Sequence, residues 1–191
     1  YIEKDASIND EIDRMRLAAT YALMERRDVI VVATVSCIYG LGMPDLYKEM
    51  RVHIEKGQIL DTNKLASQLV SLQYERNDMV LDRGKFRLRG DLIEIYPAYM
   101  ETDEAYRIEL DFDEVVSIRR FHTIDGHIIE ELDETTIYPA KHFVVPQEML
   151  RNATDRIREE MIEQVAALQN AGKILEAERL KTRTTCDIEM L

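Results

Sequence analysis

The chain has 191 residues, 25 basic and 37 acidic, for a formal net charge of −12, and 46 % of it is apolar. That length can bury a real core, the composition is that of a folded protein rather than a disordered one, and the acid excess argues against a simple nucleic-acid coat protein, whose domain would be basic. No apolar run reaches the ~18 residues of a membrane helix, and the polar opening YIEKDASIND shows no signal peptide; with two cysteines in no shared motif, residence in the cytoplasm is expected.

Residues 7–26 predict a helix with Ser7 as N-cap and Ile8, Ile12, Met15, Ala19 and Leu23 recurring at helical steps toward a core. Asp28–Val35, DVIVVATV, is a continuous β-branched run, the pattern of a strand buried on both faces of a parallel α/β sheet. It leads into SCIYGLG, whose two glycines suggest a loop at the strand's carboxyl end, where open α/β sheets bind ligands. Pro44–Met50 suits a short helix with proline in its first turn, and Arg51–Glu55 a short strand. Asp61–Glu75 is amphipathic through Leu65, Leu69 and Leu72, with Asp61 as cap.

Strands are then expected at Phe86–Arg89 and Leu92–Pro97, and at Tyr106–Phe112, where Tyr106, Ile108, Leu110 and Phe112 share one face and Arg107, Glu109 and Asp111 the other. Val115–Phe121 and His127–Leu132 flank Asp125-Gly126, a hairpin turn. Ile137–Pro139 and His142–Val145 complete an antiparallel α+β module. Pro146 opens a long helix striped by Leu150, Ile157, Met161, Val165 and Leu168 and ended by Asn170-Ala171-Gly172. A second helix with Ile174, Leu175, Ala177 and Leu180 makes the pair a helical hairpin. The chain opens on Tyr1 rather than Met and stops at Leu191 within a helical pattern, which reads as a piece of a longer protein.

The charge is uneven. Residues 101–134 hold twelve acids against Arg107, Arg119 and Arg120, a net −9, leaving −3 for the rest. A charge run of this kind is either a solvated surface or a recognition surface for a protein partner. Arg87 and Arg89 lie two apart on one strand, and Arg107 and Glu109 do the same on another, so each pair projects to one face. Either they are laced into exposed salt bridges, or they form an interface patch, where guanidiniums are favoured. Tyr1 and Lys4 are residue types that touch nucleic acid by stacking and phosphate contact, and equally ordinary surface. No catalytic constellation appears, and no GxxxxGK[ST] phosphate loop occurs, so the chain alone is not expected to bind or turn over ATP. His53, His122, His127 and His142 show no metal-ligand spacing, so neither zinc nor another metal site is expected. Cys37, after the apolar run, is expected to be buried and reduced; Cys186 shares no motif with it.

The runs YIEKDASINDEID, ERRDVIVVATVSCIYGLG, YERND, RGKFRLRGDLIEIYPA and ILEAERLKTRTTCDIEML together resemble the UvrB family, in order and over essentially the whole chain. That family supplies the damage-verifying subunit of bacterial UvrABC nucleotide excision repair. The resemblance implies a mixed fold class, α/β and α+β. Residues 1–44 would be a β-hairpin remnant and the edge of a helicase-like parallel α/β domain, 45–146 an inserted UvrA-binding domain, and 147–191 a helical segment leading into the helicase core. It also implies UvrA contacts by Arg87, Arg89, Arg107 and Glu109. DNA contacts are implied for Tyr1 and Lys4 of the hairpin, for Arg16, Ser36 and Tyr39, and for Arg183. Partners would be UvrA, with damaged DNA and UvrC engaged through the full-length protein, which would use ATP and Mg; no cofactor is expected within this piece, and no membrane. After RIEL, which ends at Leu110, the family usually carries an aromatic, as in a Phe-Phe pair, before Asp-Glu, where this chain has Asp111, Phe112, Asp113 and Glu114. The competing reading is a protein-interaction adaptor, such as the related module of a transcription-repair coupling factor.

Overall fold

The structure, a computed structural model, describes residues 10–35, 44–100 and 103–190. It divides into two compact units, Tyr1–Val144 and Val145–Leu191.

The first unit is organised by a six-stranded sheet in the order β2(Glu75–Arg76), β3(Lys85–Arg89), β4(Leu92–Tyr96), β5(Glu104–Asp111), β6(Glu114–His122), β7(Ile128–Leu132). All its pairings are antiparallel except β2 with β3, so the sheet is mixed. Tight turns hold this meander together. Gly90, at φ 63°, links β3 to β4. Phe112 and Asp113, at φ 46° and 67°, form the two-residue turn between β5 and β6, the twist that hairpins demand. Phe112 therefore leaves the apolar strand face expected for it and stands 94 % exposed at the hairpin tip. Asp125-Gly126 does make the turn between β6 and β7, with Gly126 at φ 76°.

One face of the sheet is largely apolar, with Arg120 entering it on β6. Phe86, Ile95 and Tyr106 form one cross-strand row, and Leu88, Ile93, Ile108, Ile118 and Leu132 another. Leu65, Leu69 and Leu72 belong to the same core; the first two lie on helix α3(Thr62–Ser71), and Leu72 follows it. Asp61 caps that helix, accepting from the backbone N–H of Asn63 at 2.8 Å and of Lys64 at 3.1 Å. A second, two-stranded sheet pairs β1(Val52–Glu55) with β8(Glu134–Ile137). Buried tyrosines tie it down: Tyr74 donates to the Tyr138 carbonyl at 2.9 Å, Tyr99 to that of Thr136 at 3.0 Å and Tyr47, from α2(Pro44–Glu49), to that of Pro139 at 3.3 Å. Each hydroxyl so partnered avoids the cost of a buried unsatisfied group. No strand forms at His142–Val145, contrary to expectation.

The N-terminal part departs most from the sequence reading. Helix α1(Asp10–Glu25) forms, but it buries Leu17 completely and packs Ala18, Tyr21 and Met24 on the core. Tyr21 stacks on Tyr99 at 4.3 Å. The stripe expected to face inward stays outside, with Ile12, Met15 and Leu23 each about half exposed. The helix has two apolar sides, and only one meets the sheet module. Asp28–Val35, expected as a strand buried on both faces, has no strand structure; Ile30 and Val32 are 92 % and 95 % exposed. A parallel strand exists only between neighbours that complete its hydrogen bonds, and among the described residues none lies beside it. Ser7, Cys37 and the SCIYGLG loop lie outside the described residues.

The second unit is a helical hairpin of α4(Gln147–Asn170) and α5(Ile174–Glu189). Gly172, at φ 74°, reverses the chain while Lys173 N–H bonds to the Leu168 carbonyl at 2.9 Å, a glycine-based helix end. Ala177 is fully buried, whereas Ile174 and Leu175 are exposed.

Candidate functional site

The strand register assembles a charged row on the second face of the six-stranded sheet. Arg87, Glu94, Arg107, Arg119 and Glu131 stand opposite one another across β3 to β7. The adjoining row is Arg89, Leu92, Glu109 and Ser117. β3 and β5 are thus not neighbours: β4 lies between them, and its Glu94 is the hinge of the site.

Glu94 is 1 % exposed. Its carboxylate accepts from Arg87 on one side and from Arg107 on the other, with Arg107 Nη2 at 2.8 Å and Nε at 2.9 Å. Burial pushes this carboxyl up; the hydrogen bonds and charges of the two arginines outweigh burial and hold it below the ordinary glutamate value. The Arg107 guanidinium also lies over the Phe121 ring, 4.1 Å from its centroid, an arrangement that a planar, weakly hydrated cation favours. Two cations against one buried anion leave a net positive centre, to which Arg107 comes from the most acidic stretch of the chain.

The row continues through Arg119, which bridges Glu109 at 3.1 Å and Glu131 at 3.2 Å. Arg120, on the opposite face, bridges Glu104 at 3.3 Å and Glu130 at 3.0 Å. The acids of residues 101–134 are therefore partly spent on arginines of the same stretch.

Of the four residues expected at a protein interface, Arg87 and Arg107 converge on Glu94, Glu109 joins through Arg119, and exposed Arg89 donates to the Asp78 carbonyl at 3.0 Å. Asp78 also accepts from the Leu88 N–H at 3.1 Å and pairs with Arg76 at 3.0 Å, fastening the 76–80 loop against β3. Sequence reasoning missed Glu94, Arg119 and Asp78. The signal for Glu94 was a single acid in LIEIY at the alternate position to Ile93 and Ile95.

The residues expected at DNA are not brought together. Tyr1, Lys4, Ser36 and Tyr39 lie outside the described residues. Arg16 is exposed on α1, beside an apolar cleft of about 340 Å³ that Met15, Leu23, Val31 and His142 also line. Arg183 is exposed on α5, 4.0 Å from Asp187. No helix among the described residues is long and apolar enough to cross a membrane. Two groups bring metal-type donor atoms within 4.8 Å of one another: His53, Glu55 and Glu134 across the small sheet, and His122, Asp125 and His127 at the tip of the β6–β7 hairpin.

Residues 52–143, which include the whole charged face, match the UvrB interaction domain, and residues 148–191 match the UvrB third helical domain. Over its full length the chain is 62 % identical to UvrABC system protein B of Treponema denticola, 61 % to that of Treponema pallidum and 54 % to that of Carboxydothermus hydrogenoformans. It spans 28–29 % of the length of these relatives. The two domain matches, in that order, and the similarity over every residue place the chain in the UvrB family.

Proposed function

We propose that this chain is the part of a UvrB subunit that docks on UvrA, and that it serves nucleotide excision repair through that contact. The charged row centred on Glu94 carries this reading. It sets ordered guanidiniums on one sheet face of an otherwise acidic module, which suits a protein partner better than the phosphate backbone. The partly exposed members, Arg89 and Glu109, would meet the partner. Arg87 and Arg107, held by Glu94, would be pre-organised and lose little freedom on binding. Damage verification, contact with DNA and UvrC, and use of ATP and Mg would belong to the full-length subunit, since this chain has no Gly-rich phosphate loop.

The test is a binding titration of UvrA against the Arg89→Ala plus Glu109→Ala double variant. Both side chains are accessible enough to remove without opening the core. At least a tenfold loss of affinity, with an unchanged circular dichroism spectrum, is expected. Undiminished binding by the folded variant would take the docking surface off this face.

A further inference from the structure

We propose that the tip of the β6–β7 hairpin is a binding site for a divalent metal ion of the zinc class, held by His122 Nδ1, His127 Nδ1 and the Asp125 carboxylate. In sequence these are separated as His-x-x-Asp-x-His, an uncommon spacing; the turn is what gathers them. His122 N–H donates to the His127 carbonyl at 2.9 Å and Gly126 N–H to that of His122 at 2.9 Å. Thr123 N–H donates to the Asp103 carbonyl at 2.7 Å, fastening the outgoing limb of the loop.

On this frame the two imidazoles stack, with ring centroids 5.1 Å apart and planes 23° from parallel. Both Nδ1 atoms face one carboxylate oxygen, Asp125 Oδ1, at 3.0 Å for His122 and 2.7 Å for His127. The same oxygen is oriented by the His127 backbone N–H at 3.2 Å. These separations approach the ~3.3 Å edge of a tetrahedral shell with bonds of ~2.0–2.1 Å, so only a small spreading admits an ion. A hydrogen bond from either ring to the Asp125 carboxylate belongs to the Nδ1–H tautomer. In the Nε2–H tautomer the two rings instead turn their Nδ1 lone pairs toward the same point.

Two imidazole nitrogens with one carboxylate oxygen suit zinc, cobalt, nickel or copper rather than magnesium or calcium, which take oxygen shells. Asp125 and His127 are exposed, so water completes the coordination and the ion has a direct entry path. The ion would brace the hairpin carrying edge strand β7, whose residues are nearly all exposed, and stabilise it by mass action. The alternative group, His53 with Glu55 and Glu134, has one imidazole and is the weaker nitrogen site.

The experiment titrates the tag-free protein with Zn²⁺ and reads the His122 and His127 side-chain nitrogens by long-range ¹H–¹⁵N NMR, with Co²⁺ absorption as a second probe. One ion per hairpin, both rings in the Nε2–H form, and a tetrahedral Co²⁺ spectrum are expected. His127→Gln and Asp125→Asn should each weaken Zn²⁺ binding at least tenfold, and His53→Gln should leave it unchanged. His122 and His127 resonances that do not move with stoichiometric Zn²⁺ would overturn the proposal without any variant. So would Zn²⁺ affinity in His127→Gln equal to that of the unchanged protein.

Discussion

Residues 28–35 and strand β4 are close in composition and opposite in fate. DVIVVATV and LIEIY are both short runs rich in β-branched side chains. β4 sits between β3 and β5, with Ile93 and Ile95 fully buried beneath it and Glu94 clamped above it. Residues 28–35 have no strand beside them among the described residues, and Ile30 and Val32 face solvent. High β-propensity records how well a residue suits a pleated, half-buried surface; the neighbours decide whether that surface exists.

The comparison breaks most directly at Ile95. Ile95→Ala should cost about 2–5 kcal/mol in chemical denaturation, the price of a cavity beneath a central strand. A much smaller loss would mean that β4 is not the keystone of the sheet. Next comes the other face of the same strand. Glu94→Ala strands two arginines, and because both are partly open to water the expected loss is about 3 kcal/mol rather than more. Acid sharpens this. The Glu94 carboxyl lies below its ordinary value of 4.5, so the pairing stabilises the fold above that value and is lost as pH falls through and below it. Glu94→Gln should therefore show a shallower loss of stability between about pH 5 and pH 3 than the unchanged chain; parallel curves would assign the acid sensitivity to other carboxylates.

Asp61→Ala, which removes the α3 cap, should cost about 1 kcal/mol by thermal or chemical unfolding. The smallest effect belongs to the other half of the comparison. Val32→Ala should change the stability of this chain by no more than about 0.5 kcal/mol, and a loss near that of Ile95→Ala would show that residues 28–35 are packed after all.

Much of the module was legible in the residues, for local reasons. Asp61 ahead of an apolar stripe, the Asp125-Gly126 turn, the alternation in Tyr106–Leu110 and the glycine after α4 each act within a few residues of themselves, and each appears where expected. Phe112 was misplaced because strand alternation continues on paper through the point where a two-residue turn ends it. The inward stripe of α1 was misassigned because the helix offers two apolar sides and periodicity cannot say which one finds a surface. At the site, the pairing of Arg87 with Arg89 and of Arg107 with Glu109 on one sheet face followed from the two-residue period. Their meeting at Glu94 did not, since it depends on which strand lies between two others.

By itself, then, the sequence determined most helices and strands of the sheet module and the helical hairpin, the Asp125-Gly126 turn, the Asp61 cap, the polar or apolar character of most strand faces, and, through its resemblance to UvrB, the lineage. Tertiary structure alone decided the strand order that buries Glu94 between two guanidiniums, which side of α1 is covered, and whether residues 28–35 have a sheet to join. The physical reason is common to all three. Propensity and periodicity are local and act within a turn or two of helix or strand, whereas burial, pairing and electrostatic convergence belong to residues distant in the chain and exist only once the sheet has closed.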